Sequence, residues 1–387
     1  MRVLSPEKAL AQLEVTHNDA DLLAFLDHVI LDALERGASD IHFEPYEQHI
    51  RIRLRLDGLL ETLVHCKTQF TQQMTTRLKI LANLDIAEHR LPQDGRFHFQ
   101  QGALAIDFRV STCPTLYGEK IVLRLLKTAN SYLPLDSLGL DAHASTHLHN
   151  ALARPQGMII VTGPTGSGKT MTLYAALKAL NQDTRNISTV EDPIEITVEG
   201  INQVSIHNKI GLTFSQVLRA FLRQDPDIIM LGEIRDADTA DIAIKAAQTG
   251  HLVLTTLHTN SALETLNRLH NLGVSQYNLA SAVSLVLAQR LVRRLCPLCK
   301  TFDLSGAYQA NPHGCSACHK GYHGRFALFE ALPITPTLQQ AIFEGASMAS
   351  LHALAQETGF TPLILQGQKA VKEGITSYAE ISRVIQT

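Results

Sequence analysis

Two short stretches carry residue types whose spacing could do chemistry. The first is GPTGSGKT, in which Gly163, Pro164, Thr165, Gly166, Ser167, Gly168, Lys169 and Thr170 fit G-x-x-x-x-G-K-[ST]. Glycines let backbone N–H groups converge on phosphate oxygens, and a helix starting there adds its dipole. Lys169 is then expected to reach the β- and γ-phosphates and the Thr170 hydroxyl to ligate Mg²⁺, so the stretch predicts ATP or GTP binding. The second is RLVRRLCPLCK, residues 290–300, where basic side chains crowd a CxxC pair. Cys296 and Cys299 are followed after fifteen residues by Cys315 and Cys318, the pattern of a closed four-thiolate zinc site, with redox use as the rival. The crowding itself leaves two readings open: a zinc module that grips nucleic acid, or zinc as a structural clip.

Hydrolysis needs more than a cradle. DIIMLGEIRD delivers Glu233 just past an apolar run, where a carboxylate would meet the metal directly or through water. STVEDPIE offers Glu191 to orient or deprotonate the attacking water, with Asp192 or Glu195 assisting; a solvated loop carboxylate is the bland alternative. TTLHTN supplies His258 as a γ-phosphate sensor, while spacing does not decide whether His251 is more than structural. His313, His319 and His323 read as surface or supporting residues, because four thiolates already satisfy a zinc ion.

The elements that must position these groups show two regimes. DIIMLGE, GMIIVT, NISTVE and HLVLTTL are short continuous apolar runs separated by helical sequence, the mark of strands buried on both faces of a mainly parallel sheet. Before them, HIRIRLRLDG alternates strictly, with Ile50, Ile52, Leu54 and Leu56 on one face and Arg51, Arg53 and Arg55 on the other. Those arginines are expected to form a solvated sheet face paired with acids rather than a phosphate-backbone contact. The expected organisation is an extension (1–20), an α+β domain (21–128), a linker (129–141), an α/β domain (142–294), a cysteine insert (295–330) and a helical tail (331–387). LASAVSLVLAQRLVRRL, the most apolar run, is interrupted by polar residues and is predicted to be a packed amphipathic helix rather than a membrane span.

Composition narrows the function classes. With 387 residues, 45% hydrophobic and 18% charged, the chain has material for two or three cored domains and argues against disorder. A formal net charge of −3 disfavours a dedicated nucleic-acid binder, whose affinity rests on phosphate contacts. The N-terminus lacks an apolar signal region, and thiols paired as CxxC point to a reducing cytoplasm.

Taken together, GPTGSGKT, STVEDPIE, DPDIIMLGEIRD and TGHLVLTTLHTNSA resemble, in that order, the phosphate loop, aspartate box, Walker B segment and histidine box of the secretion ATPase superfamily. RGASDIHFEPYE, LPQDGRF and DFRVSTCPTLYGEKIVLRLL extend the resemblance toward the N-terminus, so it spans about Asp21 to Thr387. The family is that of type II secretion and type IV pilus assembly ATPases, the protein E and PilB-like motors. It implies a RecA-like ATPase core after a PAS-like domain, a homo-hexameric ring binding ATP, Mg²⁺ and Zn²⁺, and an inner-membrane platform and cytoplasmic docking proteins as partners. The protein would then be cytoplasmic, held at the inner-membrane face through those partners, with no direct nucleic-acid contact.

The resemblance also implies that Glu191 activates water, Glu233 is the Walker B acid and His258 contacts the nucleotide. Arg109 and Arg124 match arginines that reach nucleotide phosphates from the smaller domain, and Arg219 and Arg223 match core arginines bearing on nucleotide or neighbouring subunit. Assembly motors carry a tetracysteine insert that retraction motors generally lack, which favours assembly and makes the zinc a clip. Secretion motors usually carry a further N-terminal docking domain; here the family-like part starts within some twenty residues, so docking is expected through another surface or through a reduced partner contact. Retraction and nucleic-acid translocation are the rival functions.

Overall fold

The computed structural model describes residues 6–16, 18–102, 104–126, 133–303 and 306–385. The chain divides into two compact units, residues 1–130 and 131–387. Residues 129–132 of the expected linker lie outside the described residues.

In the first unit α1 (Pro6–Thr16) and α2 (Asp19–Glu35) precede β1 (Asp40–Pro45), β2 (His49–Leu56) and β3 (Leu59–Lys67). Then come α3 (Thr71–Leu81), β4 (Gln93–Gln101), β5 (Leu104–Thr115) and β6 (Gly118–Leu125). The strands form one antiparallel sheet in the order β3-β2-β1-β6-β5-β4. The alternation in β2 does what its period requires: Ile50, Ile52, Leu54 and Leu56 are buried, joined in the core by Phe25, Val29 and Phe108. Leu13 is fully buried in the same core, so α1 packs as part of this unit. On the opposite face the register sets Glu44 against Arg51 and Asp40 against Arg55. Arg51 and Arg53 reach Glu44 at 3.1 and 2.8 Å, and Arg55 approaches Asp40 at 3.6 Å, so the arginine row is neutralised by acids of its own sheet.

The second unit opens with α4 (Ala142–Leu152), β7 (Gly157–Thr162), α5 (Lys169–Leu180), β8 (Ile187–Glu191) and β9 (Asn202–Ser205). It continues through α6 (Phe214–Phe221), β10 (Ile228–Leu231), α7 (Ala237–Gln248), β11 (Leu252–Leu257), α8 (Ala262–Asn271), α9 (Gln276–Ala282) and β12 (Val283–Leu295). Short strands β13 (Thr301–Phe302) and β14 (Tyr308–Gln309) precede β15 (Tyr322–Pro333). Helices α10 (Pro336–Phe343), α11 (Met348–Glu357), α12 (Leu363–Lys372) and α13 (Tyr378–Val384) finish it. The main sheet runs β15-β12-β7-β11-β10-β8-β9 and is parallel except where β15 returns against β12. β7 shows why its sequence is apolar throughout: Met158 and Ile160 enter one core, Ile159 and Val161 the core on the opposite face.

One expectation is overturned. The run predicted to be a packed amphipathic helix is α9 followed by the thirteen-residue strand β12. β12 lies between β7 and β15 and is buried along most of its length, so neither face carries the polar stripe that a surface strand would show. β15 also runs across residue 330, where the insert was expected to give way to the helical tail; from Tyr322 the chain is already back in the main sheet.

Candidate active site

The phosphate loop leaves the carboxyl end of β7 and enters α5 at Lys169. Gly163 and Gly168 have φ of +147° and +91°, which side chains rarely adopt. Space forbids a side chain as well: a Cβ at Gly163 would lie 2.5 Å from the Gln289 carbonyl, and one at Gly168 would lie 2.8 Å from Gln289 Nε2. Lys169 folds over its own loop, donating to the carbonyls of Gly163 at 2.8 Å and Pro164 at 3.1 Å. Burial pulls its ammonium down to about 8, with Glu233 opposing and Arg290 adding to the shift. Thr170 follows, half-buried, in the first turn of the helix.

Strands β11, β10 and β8, which follow β7 in that order across the parallel sheet, bring the histidine and the acids to the same edge. Glu233 leaves the end of β10 and His258 the end of β11, and their side chains meet at 3.3 Å. Arg235, which the motif reading passed over, holds Glu233 through Nε at 2.7 Å and Asp192 at 3.3 Å. It therefore links the loop after β8 to Glu233. The signal was present in the sequence as the arginine two residues past Glu233.

Glu191 closes β8 and is buried, not solvated. Tyr174 and Thr189 donate to its two oxygens, the latter at 2.7 Å, and Gln203 adds a third hydrogen bond at 3.1 Å. A carboxylate offers about four lone-pair sites, of which these three hydrogen bonds use three. Tyr174 lies on α5, so the helix that begins at the phosphate loop also grips this acid.

The other candidates have partners of their own. His251 precedes β11, its ring against the Ala246 carbonyl at the end of α7, a structural role. Arg219 pairs with Asp238 at 2.6 Å, and Arg223 donates to the Arg219 carbonyl; among the described residues neither bonds to the phosphate loop. Arg109 and Arg124 belong to the first unit, paired with Asp94 at 3.6 Å and Asp40 at 2.8 Å.

Between β12 and β15 the sulfurs of Cys296, Cys299, Cys315 and Cys318 all lie within 4.8 Å of one another. Three separations, 3.5, 3.6 and 3.7 Å, are close to the roughly 3.8 Å edge of a tetrahedron with 2.3 Å zinc–sulfur bonds. The donor set thus fits a structural zinc ion, with no position left open for chemistry. Of the arginines before it, Arg290 is buried and Arg293 largely buried, while Arg294 is exposed. Arg293 pairs with buried Glu380 at 2.8 Å over the Tyr322 ring, and Arg294 lies 5.0 Å from the Phe326 ring centroid.

Residues 15–383 match the Type II/IV secretion system protein family. The type IV pilus assembly ATPase PilB of Acinetobacter baylyi is 47% identical over 386 residues, covering 95% of this chain and 67% of that protein. The type II secretion system protein E of Dickeya dadantii is 44% identical over 380 residues, 95% of this chain and 76% of its own length. The solved structure of the Legionella pneumophila ATPase DotB shares the fold, with a TM-score of 0.72 at 22% identity over 93% of this chain and 94% of that one. With a phosphate loop, a Glu233–His258 pair and a buried Glu191 on one sheet, the chain belongs to the Type II/IV secretion system protein family and is an ATPase of the protein E and PilB kind.

Proposed function

We propose that this chain is the subunit of a homo-hexameric ring that couples ATP hydrolysis to assembly of a type II secretion pseudopilus or a type IV pilus. It would act through an inner-membrane platform and cytoplasmic docking proteins. The observation that carries the reading is the meeting of Glu233 and His258 at the ends of two adjacent strands, β10 and β11, the second of which flanks the phosphate-loop strand. In this reading Lys169 and the loop amides hold the phosphates, and Thr170 with Glu233 would hold Mg²⁺, which neutralises charge on the transferred phosphoryl group. Glu191 takes the proton of the attacking water through its remaining lone pair, and His258 reports the γ-phosphate to Glu233. Arg109, Arg124, Arg219 and Arg223 keep the nucleotide- or neighbour-facing roles that the resemblance implies. Zinc at the four cysteines clips β12 to β15. Among the described residues no helix is long and apolar enough to cross a membrane, consistent with attachment through partners.

Steady-state ATP hydrolysis, with single- and double-stranded DNA titrated in, tests this. A slow rate that ignores DNA and rises when subunits are forced into rings is expected. A rate that climbs with DNA and falls with salt would favour a translocase instead. Lys169→Ala should abolish nucleotide binding, and Glu233→Gln should retain ATP unhydrolysed; normal turnover in either breaks the site assignment. Metal analysis should find one zinc per chain, and a chelated sample should lose order around the cysteines before the main sheet melts.

A further inference from the structure

β7 ends in the phosphate loop and is flanked by β12 on one side and β11 on the other. Ala288 pairs with Thr162, so the next residues of β12, Gln289 and Arg290, run alongside the loop, 3% and 5% exposed. On the opposite flank the chain leaves β11 through His258 and reaches Asn260 before α8 begins. Arg290 spans from one flank to the other. One terminal nitrogen donates to the Asn260 carbonyl at 2.9 Å and to Asn260 Oδ1 at 3.2 Å, and the other donates to the Gln289 carbonyl at 3.1 Å.

That second nitrogen is also against the loop: a Cβ on Gly163 would sit 3.2 Å from it and 2.6 Å from Ser167 Oγ. Both Arg290 Nε and Ser167 Oγ are buried without a hydrogen-bond partner. A buried guanidinium with an unsatisfied nitrogen is a poor way to stabilise a sheet, because an apolar side chain of similar volume would avoid the desolvation cost. The segment that Arg290 grips is pinned from its other end as well. Glu330 accepts from the Ala262 amide at 2.7 Å, and Glu264 accepts from the Asn260 amide at 2.8 Å.

We infer that Arg290 is a positioning residue for hydrolysis: packed against the phosphate loop at Gly163 and hydrogen-bonded to Asn260 in the segment that carries His258, it fixes the Glu233–His258 pair relative to the cradle. The planar fork is the reason for arginine: it reaches the Gln289 carbonyl and Asn260 at once, which an ammonium cannot do with fixed geometry. Because Arg290 acts through Asn260, its loss slows turnover more than it weakens nucleotide binding. The inference rests on Gly163–Thr170 being the nucleotide cradle.

The test is steady-state phosphate release by the full chain and its Arg290→Lys, Arg290→Met, Asn260→Ala and Arg290→Lys/Asn260→Ala variants, with Lys169→Ala alongside. A fluorescent ADP analogue counts competent sites in each preparation, which separates slow chemistry from a misfolded fraction. Arg290→Lys should lower kcat per competent site about tenfold or more, with KM for ATP within about threefold. The double variant should be no slower than Arg290→Lys within about twofold, since both changes cut one connection. A kcat for Arg290→Lys within about twofold of the parent, or single effects that multiply in the double variant, would overturn it. Should Arg290→Met fail to fold, Arg290→Lys still decides. A silent Lys169→Ala beside a normal Arg290→Lys sinks this inference alone, whereas normal turnover by Lys169→Ala removes the cradle and the inference together.

Discussion

The chain carries two arginine clusters on strands, and they do opposite work. On β2 of the first unit, Arg51, Arg53 and Arg55 stand at period two on a half-exposed face, shared between Glu44 and Asp40 of the next strand. On β12 of the second unit, Arg290 is buried beside the phosphate loop and Arg293 is held by the buried carboxylate of Glu380. Both clusters read as candidate phosphate-backbone contacts from charge alone. What separates them is how far each guanidinium is removed from water. A half-exposed charge can lose a partner and be rehydrated, whereas a buried one cannot.

The comparison can be broken by removing the acids. Glu380→Ala strands Arg293, whose side chain is largely buried, and should cost about 3–5 kcal/mol, read as a drop in the denaturant midpoint of the second unit. Glu44→Gln should cost less, about 1–3 kcal/mol, because Arg51, Arg53 and Lys120 all keep access to water. Equal losses in the two variants would contradict the distinction drawn here.

Acid titration sharpens it. Burial would raise the Glu44 carboxyl, but hydrogen bonds and charges from Arg53 and Lys120 outweigh it and hold the group at about 2. A depressed carboxylate contributes stability that is complete above its unfolded value, near 4.5, and is lost as pH falls from there toward 2. The parent should therefore lose stability more steeply over that window than Glu44→Gln, followed by chemical denaturation at each pH. Parallel pH dependences would refute the Glu44 assignment. The smallest effect belongs to Arg51→Ala, expected below about 1 kcal/mol because Arg53 and Lys120 still pair with Glu44 when Arg51 is gone.

Much of the site was legible because its groups sit at fixed offsets from strand ends. The apolar runs announce β7, β8, β10 and β11, and each ends at or within two positions of its candidate residue: Gly163, Glu191, Glu233 and His258. The four cysteines were equally legible, since two CxxC knuckles bring their own geometry. β12 was not. An apolar run broken by Gln289 and Arg290 suits a packed helix as well as a buried strand, and periodicity cannot separate them when both faces are covered. The partners that decide the matter, β7 and β15, lie more than a hundred residues upstream and about thirty downstream in a sequence that gives no pairing signal. Gln289, Arg290, Tyr174, Gln203 and Asn260 were missed for the same reason: each matters for a contact to a distant part of the chain.

Sequence alone determined the phosphate cradle, the thiolate set and the two sheet regimes, because each depends on neighbours within a turn, a strand or a short loop. Tertiary structure decided that Glu191 is buried and gripped from α5, that Glu233 meets His258, and that Arg290 and Arg293 turn inward while Arg294 stays exposed. The physical reason is that local spacing fixes which groups a segment can present, while burial and charge pairing depend on which other segments remove the water around them.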